Sequence, residues 1–215
     1  MEIKNLVEKH LQKNQPSGWF EELYAQAHHN PEQIPWATQK PSHQLIEWLE
    51  NNPLTGKEKP QAIVIGCGLG DDAQALTEAG YDVIAFDVSS TAINWCKQRF
   101  PDSPVDYATA DIFELPPRWQ QQFDLVWECR TIQALPLDVR NQVMEAVSSL
   151  AKPSATLLIL THLRDTEEAP GGPPWALSEG ELNQFNRLGW QENHRFINTL
   201  KDKRVSVAMI EYQHN

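Results

Sequence analysis

Three glycines at the end of a short apolar segment constrain the fold of this chain more than any other feature. Residues 62–65 read Ala-Ile-Val-Ile and lead directly into Gly66-Cys-Gly-Leu-Gly-Asp-Asp72. The apolar run predicts a strand buried on both faces of a parallel sheet, and residues 72–79 predict a helix that ends at Gly80. This order is typical of a nucleotide-binding loop, because glycine allows a sharp turn and a close backbone approach to a ligand. A purely structural turn is the alternative.

Strands and helices alternate after this loop, which predicts an α/β fold. Predicted strands cover residues 62–65, 82–86, 105–108, 123–127 and 155–161, and predicted helices cover residues 72–79, 91–100 and 137–150. Such alternation is typical of a doubly wound, mainly parallel sheet. Residues 190–200 and 204–213 predict an antiparallel hairpin, joined by the charged turn 201–204. We therefore expect a Rossmann-like sheet of seven strands that ends in a hairpin.

The first sixty residues contain no predicted strand and form a predicted helical cover. Helical patterns span residues 3–13 and 18–28, and Ser42 is placed to cap a third helix. We expect two parts in the chain. Residues 1–60 are the helical cover and the lid over substrate and cofactor, and residues 61–215 are the cofactor-binding core.

The acidic start of the helix after the glycines indicates which ligand the loop binds. In the dinucleotide fingerprint a glycine takes the sixth position of the loop, and Asp71 takes it here. Asp71 and Asp72 lie where a pyrophosphate would meet the helix N-terminus, and two carboxylates repel a diphosphate. They suit a ligand with a cationic sulfur and an ammonium group, which favours S-adenosylmethionine over NAD. The alternative is that both aspartates only complement the helix dipole.

Two further acidic residues complete the predicted cofactor site. Asp87 ends the second predicted strand about twenty residues after the glycines, where a carboxylate accepts both ribose hydroxyls in dinucleotide folds. Asp111 follows the third predicted strand and is placed to accept from the adenine amino group, with Ile112 packed on the ring. An ordinary turn is the alternative for Asp111. The predicted cofactor contacts in this part of the chain are Gly66, Cys67, Gly68, Gly70, Asp72, Asp87, Val88, Asp111 and Ile112.

Composition narrows the choice of partner. The formal net charge of −11 at pH 7 disfavours nucleic acid, whose binding depends on Lys and Arg. No stretch approaches the roughly 20 apolar residues of a membrane span, and the three cysteines lack metal-ligand spacing. We expect a cytoplasmic protein, monomeric or weakly dimeric, that holds no metal and acts on a small molecule.

The glycine loop, Asp87 and Asp111, in this order, resemble the motifs of class I S-adenosylmethionine-dependent methyltransferases. A narrower resemblance is to the thiopurine and halide/thiol methyltransferase group, whose Thr-Pro-Trp-Asp segment is similar to residues 34–37, Ile-Pro-Trp-Ala. The group's Gly-Gly-Pro-Pro-Tyr segment is similar to residues 171–175, Gly-Gly-Pro-Pro-Trp. Residues 123–128, Phe-Asp-Leu-Val-Trp-Glu, resemble its fourth-strand segment. Ala37 departs from the group, which has an aspartate there.

This resemblance implies roles for residues outside the glycine loop. Trp36 is expected to face the methionine and methyl end of the cofactor, and Glu128, Cys129 and Thr131 to lie at the methionine moiety. Trp175 is expected to belong to a lid over the methyl acceptor. Arg130 is a candidate substrate contact, although it is displaced by one position from the arginine of the thiopurine enzymes.

Phe20 and Tyr24 are the remaining candidates for substrate binding. They are four residues apart in a predicted helix and so share one face of it. Core packing explains this spacing as well as pocket lining does, and both interpretations stay open at this point.

The implied reaction is the displacement of a methyl group from a sulfonium, in which the protein contributes mainly orientation and exclusion of water. A thiol or halide acceptor needs no general base, so we expect a soft nucleophile and assign no catalytic residue. An O- or N-methyltransferase needs a base, for which Glu128, His162 and Asp165 are the candidates. Two further functions stay open, namely a nicotinamide-dependent oxidoreductase and a non-catalytic, cofactor-binding regulatory module.

Overall fold

Residues 3–56, 58–199 and 205–214 are described by the computed structural model of this chain. By its internal contacts the chain divides into two units, residues 1–114 and residues 115–215. The first unit contains the glycine loop together with the N-terminal helices, and the second contains the C-terminal hairpin. The division of function at residue 60 stays a prediction.

In the first unit, three helices precede an alternation of strands and helices. The elements are α1 (Ile3–Leu11), α2 (Trp19–Gln26), α3 (His43–Asn51), β1 (Gln61–Ile65), α4 (Asp71–Glu78), β2 (Asp82–Asp87), α5 (Ser90–Arg99) and β3 (Asp106–Thr109). The strands are parallel and lie in the order β3-β2-β1. Helix α2 packs against α5, and α3 packs against α4. The N-terminal helices therefore contact the two helices that follow β1 and β2.

Local sequence explains where these elements begin and end. Ala62 to Ile65 are all buried, as a central parallel strand requires. Ser89 caps α5, because its hydroxyl oxygen accepts from the backbone N–H of Ala92 at 3.0 Å. The predicted position of Ser42 at the N-cap of α3 is confirmed, but a cap made by its side chain is not. Ser42 precedes the helix, but its side chain makes no capping hydrogen bond there and donates to Asp72 instead.

The second unit combines parallel strands with an antiparallel hairpin. Its elements are β4 (Phe123–Cys129), α6 (Arg140–Ser149), β5 (Ala151–Arg164), α7 (Glu179–Arg187), β6 (Trp190–Thr199) and β7 (Val205–His214). The strand order is β4-β5-β7-β6, with β4 parallel to β5 and with β7 antiparallel to both of its neighbours. The predicted hairpin is confirmed. The predicted charged turn, residues 201–204, lies outside the described residues.

Three expectations about this unit need correction. Strand β5 runs from Ala151 to Arg164, longer than predicted, and α6 begins at Arg140, after a short 3-10 turn. Helix α7 is absent from the predicted elements, although its sequence carries a start signal. Ser178 accepts from the backbone N–H of Glu181 at 3.2 Å, and Glu181 accepts from the N–H of Ser178 at 2.7 Å. This reciprocal pair is a capping box, which Ser-x-x-Glu indicates in sequence.

The predicted fold class is confirmed. In the described part of the chain seven strands make up a mixed, mainly parallel sheet with helices between the strands and an antiparallel hairpin at the C-terminal end. The described residues include no helix that is both long and apolar enough to cross a membrane.

Candidate functional site

The glycine loop of the first unit requires glycine for two reasons. Gly68 and Gly70 have φ values of +54° and +88°, a region that side chains with a Cβ rarely adopt. A Cβ at Gly70 would lie 2.6 Å from the Tyr107 hydroxyl and 3.1 Å from the Cys96 sulfur. A Cβ at Gly68 would lie 3.1 Å from the Tyr24 hydroxyl. The close approach that requires glycine at residue 70 is therefore made by the protein itself, which differs from the expectation of a ligand there.

Residues on α5 and β2 hold this loop in place. The Cys67 N–H donates to the Phe86 carbonyl at 2.9 Å, and the Cys96 thiol donates to the Gly68 carbonyl at 3.1 Å. A hydrogen bond with the Cys96 thiol, followed by burial, raises the pKa of Cys67 well above its ordinary value. Cys67 is thus a protonated thiol at neutral pH, and a structural rather than a nucleophilic part of the loop.

Asp71 and Asp72 both have protein partners, which weakens the expectation that both carboxylates repel a diphosphate. Asp71 makes a two-pronged ion pair with Arg99, with both N–O distances at 2.8 Å. Asp72 accepts from the backbone N–H of Ser42 at 2.6 Å and from its hydroxyl at 3.0 Å. Because Arg99 compensates Asp71, repulsion of a diphosphate rests mainly on Asp72. The role of Asp72 as a cofactor contact stays a prediction.

Asp87 joins the glycine loop to the start of α5. Only 6% of this residue is exposed. One carboxylate oxygen accepts from the Gly68 N–H at 3.0 Å, and the other accepts from the Ser89 N–H at 2.9 Å. Burial raises the pKa of Asp87 to about 6 in spite of these hydrogen bonds. Each oxygen retains a lone pair, so the group can accept further hydrogen bonds from a ligand. The next residue, Val88, is half-buried.

Asp111 and Ile112 lie two and three residues after the end of β3. Asp111 accepts from the hydroxyl of Ser17 at 2.7 Å and from the N–H of Phe113 at 3.1 Å. Ile112 is buried. Two donors therefore fix the Asp111 carboxylate, and one of them, Ser17, belongs to the N-terminal segment.

The predicted aromatic residues of the first unit contact one another in a group that we call the aromatic cluster. It includes one residue, Trp19, that was not predicted from the sequence. Its members are Trp19, Phe20, Tyr24 and Trp36. The Trp36 indole donates to the Tyr24 hydroxyl at 2.9 Å. Tyr24 is buried, as the core-packing interpretation requires, whereas Phe20 and Trp36 are half-buried and remain available to a ligand.

Trp19 is the missed member of this cluster. Its ring stacks on Phe20 at a centroid distance of 3.9 Å, and only 2% of the residue is exposed. The buried indole nitrogen has no hydrogen-bond partner among the described residues. A buried donor without a partner is unfavourable, so Trp19 is a candidate contact for a bound molecule. Its place beside Phe20 in a predicted helix is the signal that could have indicated it.

In the second unit, Glu128 is the last but one residue of β4 and is fully buried. One carboxylate oxygen accepts from the N–H groups of Thr131 and Ile132 at 2.6 and 3.0 Å. The other oxygen is buried and has no hydrogen-bond partner in the described part of the chain. Burial raises the pKa of Glu128 to about 7. The group can therefore hold or release a proton near neutral pH.

The residues that follow Glu128 form a sharp turn. Cys129 is half-buried. Arg130 has a φ of +64°, and its backbone N–H donates to the Leu160 carbonyl at 2.9 Å. The Arg130 Nε is buried without a hydrogen-bond partner among the described residues. The structure thus holds the backbone of Arg130 firmly, and its substrate role stays a prediction.

Trp175 is fixed by a polar network that sequence reasoning did not reveal. The backbone N–H of Trp175 donates to the Gln133 carbonyl at 2.7 Å, and the backbone carbonyl of Trp175 accepts from the Arg140 guanidinium at 2.8 Å. Glu181 pairs with both Arg140 and Arg164. Trp175 is itself buried, with 8% exposed. This segment is well anchored, and its role as a lid over the acceptor stays a prediction.

Within the first unit, the structure brings several predicted residues together. The Tyr24 hydroxyl lies at Gly68, the Gly68 N–H donates to Asp87, and Trp36 donates to Tyr24. The chain combines a mainly parallel sheet that ends in an antiparallel hairpin, a glycine loop, Asp87 at the end of β2 and Asp111 after β3. Together these features define a class I S-adenosylmethionine-dependent methyltransferase. The orphaned Trp19 donor and the spare acceptor capacity of Asp87 fit a ligand that carries both acceptors and hydroxyls.

Comparison with known proteins identifies the family within this class. The family model for thiopurine S-methyltransferase (TPMT) matches residues 21–211, so the chain belongs to this family. The chain is therefore an S-adenosylmethionine-dependent methyltransferase that acts on a small molecule.

Individual relatives agree with this assignment. The chain is 26% identical over 185 residues to a probable thiol methyltransferase 2 of Arabidopsis thaliana, covering 84% of this chain and 76% of the relative. It is 23% identical over 203 residues to thiocyanate methyltransferase 1 of the same plant, covering 90% and 84%. The fold is that of an N-methyltransferase, NodS from Bradyrhizobium japonicum, solved with S-adenosylhomocysteine, at a TM-score of 0.68, 15% identity and coverage of 90% and 97%.

Proposed function

We propose that this methyltransferase acts on a soft nucleophile, either the thiol of a small molecule or a halide ion. The observation that carries the proposal is the agreement among its relatives. The family is named for a thiopurine, and the two plant relatives are named for a thiol and for thiocyanate. All three names describe acceptors with a sulfur nucleophile.

The chemistry of such acceptors suits the residues present. S-adenosylmethionine supplies a methyl group on a positively charged sulfur, which is already activated for displacement. A thiolate or halide attacks without giving up a proton in the same step. The protein therefore needs to orient the acceptor toward the methyl group and to exclude water, rather than to supply a base. The rings of the aromatic cluster are suited to this, since an aromatic face attracts a cation and excludes water.

We assign the cofactor to contacts in the first unit. Asp87 accepts the ribose hydroxyls, Asp111 accepts the adenine amino group, and Ile112 packs on the adenine ring. Gly66, Cys67, Gly68 and Gly70 form the loop beneath the cofactor, and Trp36 faces its methyl end. Residues 1–60 then act as a cover. The hydrogen bonds from Gly68 to Asp87 and from Ser17 to Asp111 support the assignment, because they fix both carboxylates before a ligand binds.

A second candidate, an O- or N-methyltransferase, is favoured by one observation on Glu128. Its carboxyl is buried, has a pKa of about 7 and keeps one oxygen without a partner among the described residues. A group with these properties can act as a general base for a hydroxyl or amine. The two remaining candidate bases have less in their favour. The ring of His162 is hydrogen-bonded to Gln133 at 2.9 Å, and Asp165 is exposed.

Three acceptors that differ in one atom distinguish the two candidates. Thiophenol, phenol and aniline present sulfur, oxygen and nitrogen on the same ring, and iodide and thiocyanate add the inorganic nucleophiles. The formation of S-adenosylhomocysteine is measured for each. The proposal predicts turnover with thiophenol or the inorganic ions well above that with phenol and aniline. Faster turnover of phenol or aniline, with a phenol-to-thiophenol ratio that collapses in Glu128→Gln, would contradict it and support the second candidate.

A further inference from the structure

Two residues at the start of the N-terminal helix α2 are linked to the two acidic groups assigned to the cofactor, one directly and one through Ser89. Ser17 lies just before α2, and Glu21 lies in its first turn. Ser17 contacts Asp111, and Glu21 contacts the start of α5 at Ser89 and Thr91. Neither residue is part of the glycine loop or of any predicted motif.

Ser17 acts directly on Asp111. Its hydroxyl donates to one Asp111 oxygen at 2.7 Å, while the Phe113 N–H donates to the other at 3.1 Å. Only 7% of Ser17 is exposed, so water competes little for this hydrogen bond. With one donor on each oxygen, the plane of the Asp111 carboxylate is fixed, and the lone pairs that remain have fixed directions.

Glu21 acts on Asp87 through one intermediate residue, Ser89. The Glu21 carboxylate accepts from the Ser89 hydroxyl at 2.7 Å. It also accepts from the Thr91 hydroxyl at 2.6 Å and from the Thr91 N–H at 3.1 Å. The backbone N–H of Ser89 in turn donates to Asp87 at 2.9 Å. Glu21 thus fixes the turn that supplies one of the two donors holding Asp87.

The ionisation of Glu21 agrees with this role. Burial raises its pKa, but the hydrogen bonds from Thr91 and Ser89 outweigh burial, so that the pKa is lowered below its ordinary value. Glu21 is therefore a carboxylate at neutral pH, and its hydrogen bonds are charge-assisted, which makes them stronger than those between neutral groups.

We propose that Ser17 and Glu21 are positioning residues for the adenosine half of the cofactor. Ser17 orients Asp111 toward the adenine amino group, and Glu21 orients Asp87 toward the ribose hydroxyls through Ser89. The inference rests on the proposed assignment of Asp87 and Asp111. It makes the N-terminal segment part of cofactor recognition rather than only a cover for the methyl end.

Two analogues of S-adenosylhomocysteine separate positioning from simple attachment of the helix. S-inosylhomocysteine replaces the adenine amino group by an oxygen, and the 2′-deoxy analogue lacks one ribose hydroxyl. Affinities of all three ligands are measured by calorimetry for the wild type, Ser17→Ala and Glu21→Gln. Glu22→Gln is the matched control, because Glu22 lies beside Glu21 on α2 but pairs with Lys9 and His10 on α1.

We expect each variant to lose the preference for one part of the ligand and to keep the preference for the other. Ser17→Ala loses about threefold to tenfold of the preference for adenine over the inosine base, and it keeps the ribose preference. Glu21→Gln loses a similar factor, about threefold to tenfold, of the preference for the 2′-hydroxyl and keeps the base preference. Ser17→Thr, which retains a hydroxyl, restores the base preference. Glu22→Gln matches the wild type in both ratios.

Each different outcome identifies what has failed. If the wild type binds all three ligands equally, the assignment of Asp87 and Asp111 is wrong. If the wild type discriminates, and both variants weaken all three ligands by the same factor, Ser17 and Glu21 only attach the helix and the inference is overturned. Circular dichroism confirms the fold of each variant. If Glu21→Gln does not fold, the comparison of Ser17→Ala with Ser17→Thr still tests whether Ser17 orients Asp111 toward the adenine amino group.

Discussion

Asp87 is the last residue of β2 and Glu128 the last but one of β4, and each carboxyl is buried, yet the two groups use their oxygens differently. Asp87 divides its two backbone donors, Gly68 and Ser89, between its two oxygens. Glu128 receives both of its donors, Thr131 and Ile132, on one oxygen. The second oxygen of Glu128 has no hydrogen-bond partner among the described residues.

This difference indicates two kinds of chemistry at two strand ends. A carboxylate held through both oxygens has a fixed plane, which suits a rigid pair of hydroxyls such as those of ribose. A carboxylate held through one oxygen leaves the other for a proton or a cation. Burial raises the pKa of Asp87 to about 6 and that of Glu128 to about 7. We therefore treat Asp87 as a binding group and Glu128 as a candidate for proton or cation chemistry.

The largest expected effect follows from removing the Asp87 carboxylate. Asp87→Ala leaves the ribose hydroxyls without a charged acceptor, so the affinity for S-adenosylhomocysteine falls by about 1.5–3 kcal/mol, or roughly tenfold to a hundredfold. Calorimetry measures this loss. Asp82→Ala is the control, because Asp82 begins the same strand and is exposed. Equal affinity in Asp87→Ala and the wild type would show that Asp87 is not the ribose acceptor.

Glu128→Gln tests the other half of the comparison through stability. Glutamine keeps an oxygen for Thr131 and Ile132 and removes a buried charge. At pH 8 the variant is expected to be more stable than the wild type by on the order of 2 kcal/mol, because ionising a buried carboxyl of pKa about 7 is unfavourable. Urea unfolding at pH 5 and at pH 8 measures the difference, which should be small at pH 5. A less stable variant at pH 8 would mean that an unseen partner compensates the Glu128 charge.

The pH dependence of cofactor binding sharpens the assignment of Asp87. Its pKa of about 6 lies above the ordinary value of 3.8, so between these values the folded protein holds a proton that the unfolded chain has lost. The contribution of Asp87 to stability therefore falls as pH rises from about 4 to about 6. Cofactor affinity changes in the opposite direction, because the ribose hydroxyls need the ionised acceptor. It should rise up to about tenfold per pH unit below 6, and Asp87→Asn should flatten the profile. A flat wild-type profile between pH 5 and pH 7 would contradict this.

The strand, loop and helix around Gly68 could be predicted from sequence because the signals there are local. An apolar run, glycines at fixed spacing and an aspartate about twenty residues later all lie within one continuous segment. Helix α7 carried an equally local signal, the Ser178 and Glu181 pair, and could have been predicted from it. The turn at Arg130 has a positive φ that no nearby glycine indicates.

The contacts that hold the acidic groups could not be predicted, because they join distant parts of the chain. Ser17 and Asp111 are 94 positions apart, and Glu21 and Ser89 are 68 positions apart. A serine and a glutamate in a helical segment look like ordinary surface residues until the fold is known. The same holds for Ser42, whose position suggested a helix cap but whose partner is Asp72.

The smallest expected effect concerns Trp36 in the aromatic cluster. A cation over an aromatic ring gains about 0.5–2 kcal/mol, and S-adenosylhomocysteine lacks the cationic sulfur of the methyl donor. Trp36→Ala should therefore lower the methylation rate more than it lowers the affinity for S-adenosylhomocysteine. Trp36→Phe, which keeps a ring but not the donor to Tyr24, should retain more of the rate. A Trp36→Ala variant that yields no folded protein would make Trp36 a core residue.

The central claim is that the glycine loop with Asp72 and Asp87 accommodates a phosphate-free adenosine ligand and not a dinucleotide. Calorimetric titration of the full chain with S-adenosylhomocysteine and, separately, with NAD at pH 7.5 tests this most directly. We predict binding of S-adenosylhomocysteine with a Kd on the order of micromolar, about −8 kcal/mol, and negligible binding of NAD. Tight binding of NAD without heat from S-adenosylhomocysteine would contradict it.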